Sequence, residues 1–147
     1  MLQLITPGIP ILGAFLYAGV YDIPKAYDFS CIGVFTNLTP TDAYRGAGRP
    51  EATYAIEMGI EALAREMKID SFELRKRNYI KKEQFPYTAF SGLTYDSGDH
   101  ILAAEKAAKL TDLDGVRAQQ KKQNVPGATK LLGVGMSSYF EMCGLAP

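Results

Sequence analysis

Residues 49–68 (RPEATYAIEMGIEALAREMK) hold the clearest helical pattern in the chain, and the segments on either side must pack around it. Ile56, Ile60, Leu63 and Met67 recur at helical spacing, which predicts one buried stripe. Pro50 suits the first helical position, where a missing N–H costs nothing. Glu51 then sits at the positive end of the helix dipole. Gly59 lies inside the run and costs about 1 kcal/mol against alanine unless close packing offsets it.

Other elements follow from local signals. Tyr27–Thr36 (YDFSCIGVFT) is rich in aromatic and β-branched residues and predicts a strand. Asn37–Gly48 carries Pro, Asp and Gly at short spacing and predicts a loop. Asp70 is placed to cap a second helix ending at Asn78, with Glu73 in capping-box position. Phe85–Gly98 reads as loop or short extended structure. Asp99 or Ser97 caps a third helix, His100–Leu110, and Asp114 a fourth, Gly115–Asn124. Val125-Pro126-Gly127 is a stop, and Lys130–Met142 predicts a final strand. Strands flanking three to four helices make an α+β (mixed α/β) domain. Neither end has the pattern of a natural domain edge. The expectation is one partial domain over 1–147, belonging to a larger subunit.

Composition narrows the function. The chain has 147 residues, 47% of them hydrophobic, enough for a core. Sixteen basic and 16 acidic residues cancel, so no nucleic acid or anionic membrane surface is expected as a partner. The apolar run Gly8–Gly19 is broken by Pro10 and Gly13 and falls well short of the ~20 residues of a membrane span. Cys31 and Cys143 stand alone, without disulfide or zinc spacing, which suits a reducing cytoplasm. With one histidine, His100, and no tryptophan, neither a His-based triad nor a multi-histidine metal site can be built within the chain.

The strongest chemical signal is the loop of residues 43–49 (AYRGAGR), leading into Pro50. Its glycines let backbone N–H groups approach a ligand. The helix start directs its positive end to the same place. Arg45 and Arg49 add guanidinium forks suited to oxyanions. The loop is neither a Walker A motif nor the GxGxxG fingerprint. On these grounds alone it is an anion-binding loop, with a nucleotide-phosphate loop or a plain turn as alternatives.

Residues 36–51 (TNLTPTDAYRGAGRPE) resemble the molybdenum-cofactor-binding large subunit of the xanthine oxidase family, in the carbon monoxide dehydrogenase large chain and aldehyde dehydrogenase branch. The resemblance runs in order through residues 7–10 (PGIP), 19–21 (GVY), 70–78 (DSFELRKRN), 85–87 (FPY), 92–99 (GLTYDSGD), 133–135 (GVG) and 139–141 (YFE). It implies an oxidoreductase that hydroxylates an electrophilic carbon with a molybdenum–pterin cofactor, expected as molybdopterin cytosine dinucleotide. Flavin and iron–sulfur partner subunits would carry the electrons away.

Carried over by position, the resemblance puts Arg45, Gly46 and Gly48 at the cofactor and Tyr44 and Ala47 at the substrate pocket. Copper-dependent carbon monoxide dehydrogenases have a cysteine where this chain has Gly46. Lacking that thiolate, the chain is expected to serve aldehydes or N-heterocycles instead. The family's catalytic glutamate follows a glycine motif that this chain does not match, since Gly135 is followed by Met136. No catalytic residue or metal ligand is therefore assigned. The base is expected from the rest of the large subunit or from a split companion chain. The alternative is a non-catalytic remnant or interaction module that binds no cofactor alone.

Other candidates have simpler readings. His100 next to Asp99 fits a first helical turn. Asp96 and Asp99 fit a turn plus a cap. Glu141 is expected to be structural or at an interface. Arg75, Lys76 and Arg77, with Lys81 and Lys82, predict a solvated face or partner contact. Met58, Met67, Met136 and Met142 are expected in the core.

Overall fold

The structure, a computed structural model, describes residues 8–142 apart from positions 24, 26, 35 and 40–42. Cys143 and Pro40 to Asp42 of the predicted loop lie outside the described residues. The long predicted helix forms as α2, Arg49–Met67. Lys68 closes it in the left-handed region at φ 54°, while the Ile69 amide returns to the Ala64 carbonyl. On one side lies α1, Gly8–Leu16, in a stretch whose Pro and Gly content gave no helical signal. On the other lies α3, Ser71–Asn78, capped by Asp70, whose carboxylate accepts from the Phe72 and Glu73 amides at 3.0 and 3.1 Å. Glu73 itself pairs with Lys76 at 2.8 Å.

Beyond α3 come β1, Tyr87–Thr88, and β2, Thr94–Tyr95, a short antiparallel hairpin in register Tyr87↔Tyr95. Then α4, His100–Leu110, starts on Asp99, which accepts from the Leu102 amide at 3.0 Å. The last helix, α5, Leu113–Gln123, is capped by Asp112 and not by the expected Asp114, which falls in its first turn. Five helices and one two-stranded sheet among the described residues give the expected mixed α+β class.

Both long predicted strands need correction. The described residues of Tyr27–Thr36 form no strand, and Cys31 and the apolar Ile32 and Val34 lie exposed. Lys130–Met142 also has no ladder partner among the described residues. Its alternation survives from Leu131 onward: Met136, Ser138 and Phe140 turn inward while Ser137, Tyr139 and Glu141 turn outward. β-propensity describes a half-buried pleated surface, but a ladder also needs a distant neighbour, and none is at hand.

The core is built from Val20, Tyr21, Tyr79 and Ala104, packed by Ile56, Ile60, Phe72, Ile101, Met136 and Phe140. A backbone bridge joins Tyr21 to Tyr79, with the Ile80 amide donating to the Val20 carbonyl at 3.0 Å. The expected α2 stripe is half right. Ile56 and Ile60 pack inward, but Leu63 and Met67 are 49% and 51% exposed. Met58 is also exposed, so of the core methionines Met136 is the one that packs against the central cluster.

The buried face of α2 carries Glu57 instead, and this overturns the solvated reading of Arg75. Arg75 is 0% exposed. Its Nε donates to Glu57 Oε2 at 2.9 Å and its Nη1 to Glu61 Oε1 at 2.7 Å. Further bonds run to the carbonyls of Ser71 and Met136, both at 3.1 Å. Tyr21 donates its hydroxyl to the other Glu57 oxygen. Burial, reinforced by Glu57, holds that phenol far above its ordinary pKa, so it stays a neutral donor.

His100 packs against the rings of Tyr79 and Phe85, with centroids 6.2 and 5.6 Å away. Burial pushes its pKa down, and Asp99 only partly opposes this.

Two outcomes follow. Arg75→Met strands a buried carboxylate and is expected to cost about 3–5 kcal/mol, read from a urea denaturation midpoint. For His100 the unfolded chain binds the proton more readily, so its contribution to stability is complete above pH ~6.5 and is lost on acidification below it. The resonance of this single histidine should accordingly titrate below ~6.5 in the folded protein, as NMR would record.

Candidate functional site

The site starts where the chain enters α2. Gly46 and Gly48 both adopt positive φ, +83° and +88°, a region open to glycine at no steric cost. The Arg49 amide donates back to the Gly46 carbonyl at 2.8 Å, closing a tight bend. The two glycines serve different ends. Gly48 is buried against α1, where a Cβ would lie 3.2 Å from the Gly13 nitrogen and 3.3 Å from the Ile9 carbonyl. Gly46 faces outward, and the one atom near its missing Cβ is Glu141 Oε2 at 3.4 Å.

Between α2 and residues 134–141 runs a groove of about 730 Å³. Arg45, Gly46 and Arg49 line its head, Thr53 and Glu57 its floor, and Tyr139 and Glu141 its far wall. A second hollow of about 540 Å³ opens on the other side of the bend, between Ala47, Leu12, Leu16 and Met142. Arg45, Gly46, Tyr139 and Glu141 border both.

Residues 134–141 are held in place from below. Arg75 binds the Met136 carbonyl, and the Tyr79 hydroxyl meets Ser138 Oγ. Phe140 sits between the Tyr95 ring at 4.4 Å and the Arg49 guanidinium at 4.7 Å. Three inward anchors at alternate positions leave the outward Glu141 over Gly46. Burial and the anchoring contacts thus fix which side chains border the groove.

Arg49 departs from the expected solvated fork. It is 4% exposed, and its Nη1 donates to the Leu16 carbonyl at 3.0 Å. Among the described residues its Nε and Nη2 are buried with no hydrogen-bond partner, as is Thr53 Oγ1. Burial lowers the Arg49 pKa, while the neighbouring charge of Glu141 works the other way. A buried donor without a partner costs about 1–3 kcal/mol, more when charged.

Residues 3–79, more than half of the chain, match the molybdopterin cofactor-binding domain family. The chain belongs to that family. Among relatives of this molybdopterin-binding domain, the carbon monoxide dehydrogenase large chain of Hydrogenophaga pseudoflava is 41% identical over 133 residues. That alignment covers 88% of this chain and 16% of the relative. The nicotine 6-hydroxylase large subunit of Paenarthrobacter nicotinovorans is 35% identical over 126 residues, covering 86% and 15%. The chain thus spans about a sixth of the length of such relatives.

Solved structures agree on the fold of this cofactor-binding domain. Reconstituted CO dehydrogenase from Oligotropha carboxidovorans superposes with TM-score 0.63 at 38% identity, covering 72% of this chain and 13% of that one. Quinoline 2-oxidoreductase from Pseudomonas putida 86 gives TM-score 0.64 at 27% identity, covering 82% and 15%. The family resemblance read from residues 36–51 is therefore upheld.

Of the residues singled out in the sequence, Arg45, Gly46 and Ala47 line the two hollows. Tyr44 is 87% exposed and lines neither, and Gly48 serves the contact with α1. Thr53 is brought to the site without any sequence motif announcing it, while Glu141, the last residue of the 139–141 segment of the resemblance and expected to be structural or at an interface, borders both hollows. The outward phase of the 131–142 alternation is what exposes Glu141. His100, Asp96 and Ser97 gather at a separate hollow beside Phe85 and Tyr95, which Phe140, Glu141 and Met142 also border.

Paired alanine substitutions separate the two kinds of glycine. Gly48→Ala forces both a left-handed backbone and a clash with α1, and is expected to destabilise by about 1–3 kcal/mol. Gly59→Ala, in the exposed middle of α2 with open space at its Cβ, should stabilise by about 1 kcal/mol. Thermal denaturation of both variants measures the contrast.

Proposed function

We propose that this chain is a partial molybdenum-cofactor-binding domain over 1–147 and forms one wall of the molybdopterin site in a molybdenum hydroxylase large subunit. The observation that carries the reading is the Gly46 bend. It opens backbone to a groove headed by Arg45 and Arg49, in a chain of the molybdopterin-binding family. The residues suit such a group: the bend has room at Gly46, and partnerless cationic donors stand beside it.

In this reading Arg45 and Gly46 contact the cofactor, taken in its cytosine dinucleotide form, and Gly48 seats their bend on α1. Tyr44 and Ala47 border the substrate. The bound cofactor supplies the two-electron chemistry of carbon hydroxylation. The chain's own part is binding and orientation: the Arg45 side chain and the bend amides hold anionic or polar atoms, and the Tyr139 wall limits access of water. The proton-accepting base belongs to the rest of the large subunit or a companion chain. Flavin and iron–sulfur subunits remove the electrons, in the cytoplasm. Because Gly46 offers no thiolate to bridge copper, the substrate is an aldehyde or N-heterocycle.

The test is metal loading. In the assembled large subunit, Arg45→Ala should lower molybdenum and pterin content about tenfold or more, by elemental analysis and pterin fluorescence. Unchanged loading would remove Arg45 from the site.

A further inference from the structure

We infer that the free edge of Arg49, together with Thr53 Oγ1, is a subsite for a forked oxyanion, lying one helical turn beyond the Gly46 bend. Arg49 is held on two sides, by the Leu16 carbonyl at Nη1 and by the Phe140 ring 4.7 Å from its central carbon. What remains is Nε and Nη2, an edge of the guanidinium that can grip two oxygens at once. Both atoms are buried without a partner among the described residues, and the residue lines the groove. Thr53 follows four residues later on the same face of α2, and its hydroxyl, also without a partner among the described residues, lines the same groove.

Charge favours an anion there. Glu57 and Glu61 also line the groove, but both are already paired with Arg75. One guanidinium offsets only one of these carboxylates, so Arg45, Arg49, Arg65 and the buried Arg75 stand against Glu57, Glu61 and Glu141, and positive charge exceeds negative by one. Glu141 forms no ion pair with Arg49 among the described residues, and its Oε1 accepts from the Met142 amide at 2.9 Å. Tyr54, Met58, Val134 and Met136 give the same groove apolar walls, suited to the body of a ligand whose head is the anion.

This subsite deepens the proposed cofactor groove and rests on that reading only for the origin of its oxyanion, a cofactor phosphate or a substrate carboxylate. Inorganic phosphate and benzoate, each titrated calorimetrically into the purified assembly with and without cofactor, distinguish the two. Saturable binding of either at one site per chain supports the subsite. It should weaken about tenfold in Arg49→Lys, which keeps the charge and loses the fork, and several-fold in Thr53→Val. Phosphate binding abolished by cofactor loading identifies the cofactor as the source; benzoate binding that survives loading identifies a substrate carboxylate. Absence of binding by both probes, or equal affinity in the variants, overturns the inference. Thr53→Val decides alone should Arg49→Lys not fold. Molybdenum content of the same preparations separates this failure from that of the cofactor reading, which stands if loading is normal while neither anion binds.

Discussion

One buried cation holds the pieces of this domain together. Taking a guanidinium and a carboxylate out of water costs several kcal/mol per ion, recovered only when every donor and acceptor is met. Arg75 meets that condition. Its bonds go to Glu57 and Glu61 on α2, to the Ser71 carbonyl on its own helix and to the Met136 carbonyl of the unpaired segment. Tyr21 completes Glu57 from the short bridge beside α3. Four parts of the chain, from Tyr21 to Met136, therefore converge on one ion. The groove between α2 and residues 134–141 has its width set by that ion, because Arg75 ties the Met136 backbone to the face of α2.

Local chemistry was legible in the sequence and long-range pairing was not. The helices α2 to α5 follow from apolar spacing and from caps such as Asp70 and Asp99, which act within three residues. Tyr27–Thr36 and Lys130–Met142 have strand composition, but a strand exists only with a partner. What Lys130–Met142 kept was its alternation, enforced by Arg75, Tyr79 and Phe140. Nothing in Arg75-Lys76-Arg77 marks the first as the buried one. That depends on Glu57, which lies eighteen residues away and itself sits on the face where apolar spacing alone placed none.

The candidate site divides along the same line. The bend at Gly46 was readable because positive φ and helix entry are local properties. Glu141 was not readable, since its position over Gly46 depends on three anchors supplied by α3, β2 and α2. Arg49 was half readable: its charge at the loop is evident, while its burial requires α1 above it and Phe140 beside it.

Arg49 and Arg75 repay direct comparison. Both are removed from water, at 4% and 0% exposure, and both bind a backbone carbonyl far away in sequence. Arg75 faces two carboxylates and has its donors met, as a structural ion must. Arg49 has no carboxylate within pairing distance among the described residues, and two of its three nitrogens are unmet. Burial alone cannot explain a difference of that kind, since the desolvation cost is common to both. A fold that satisfies one buried guanidinium fully and leaves another open to a groove places the second where an outside oxyanion would offset its cost.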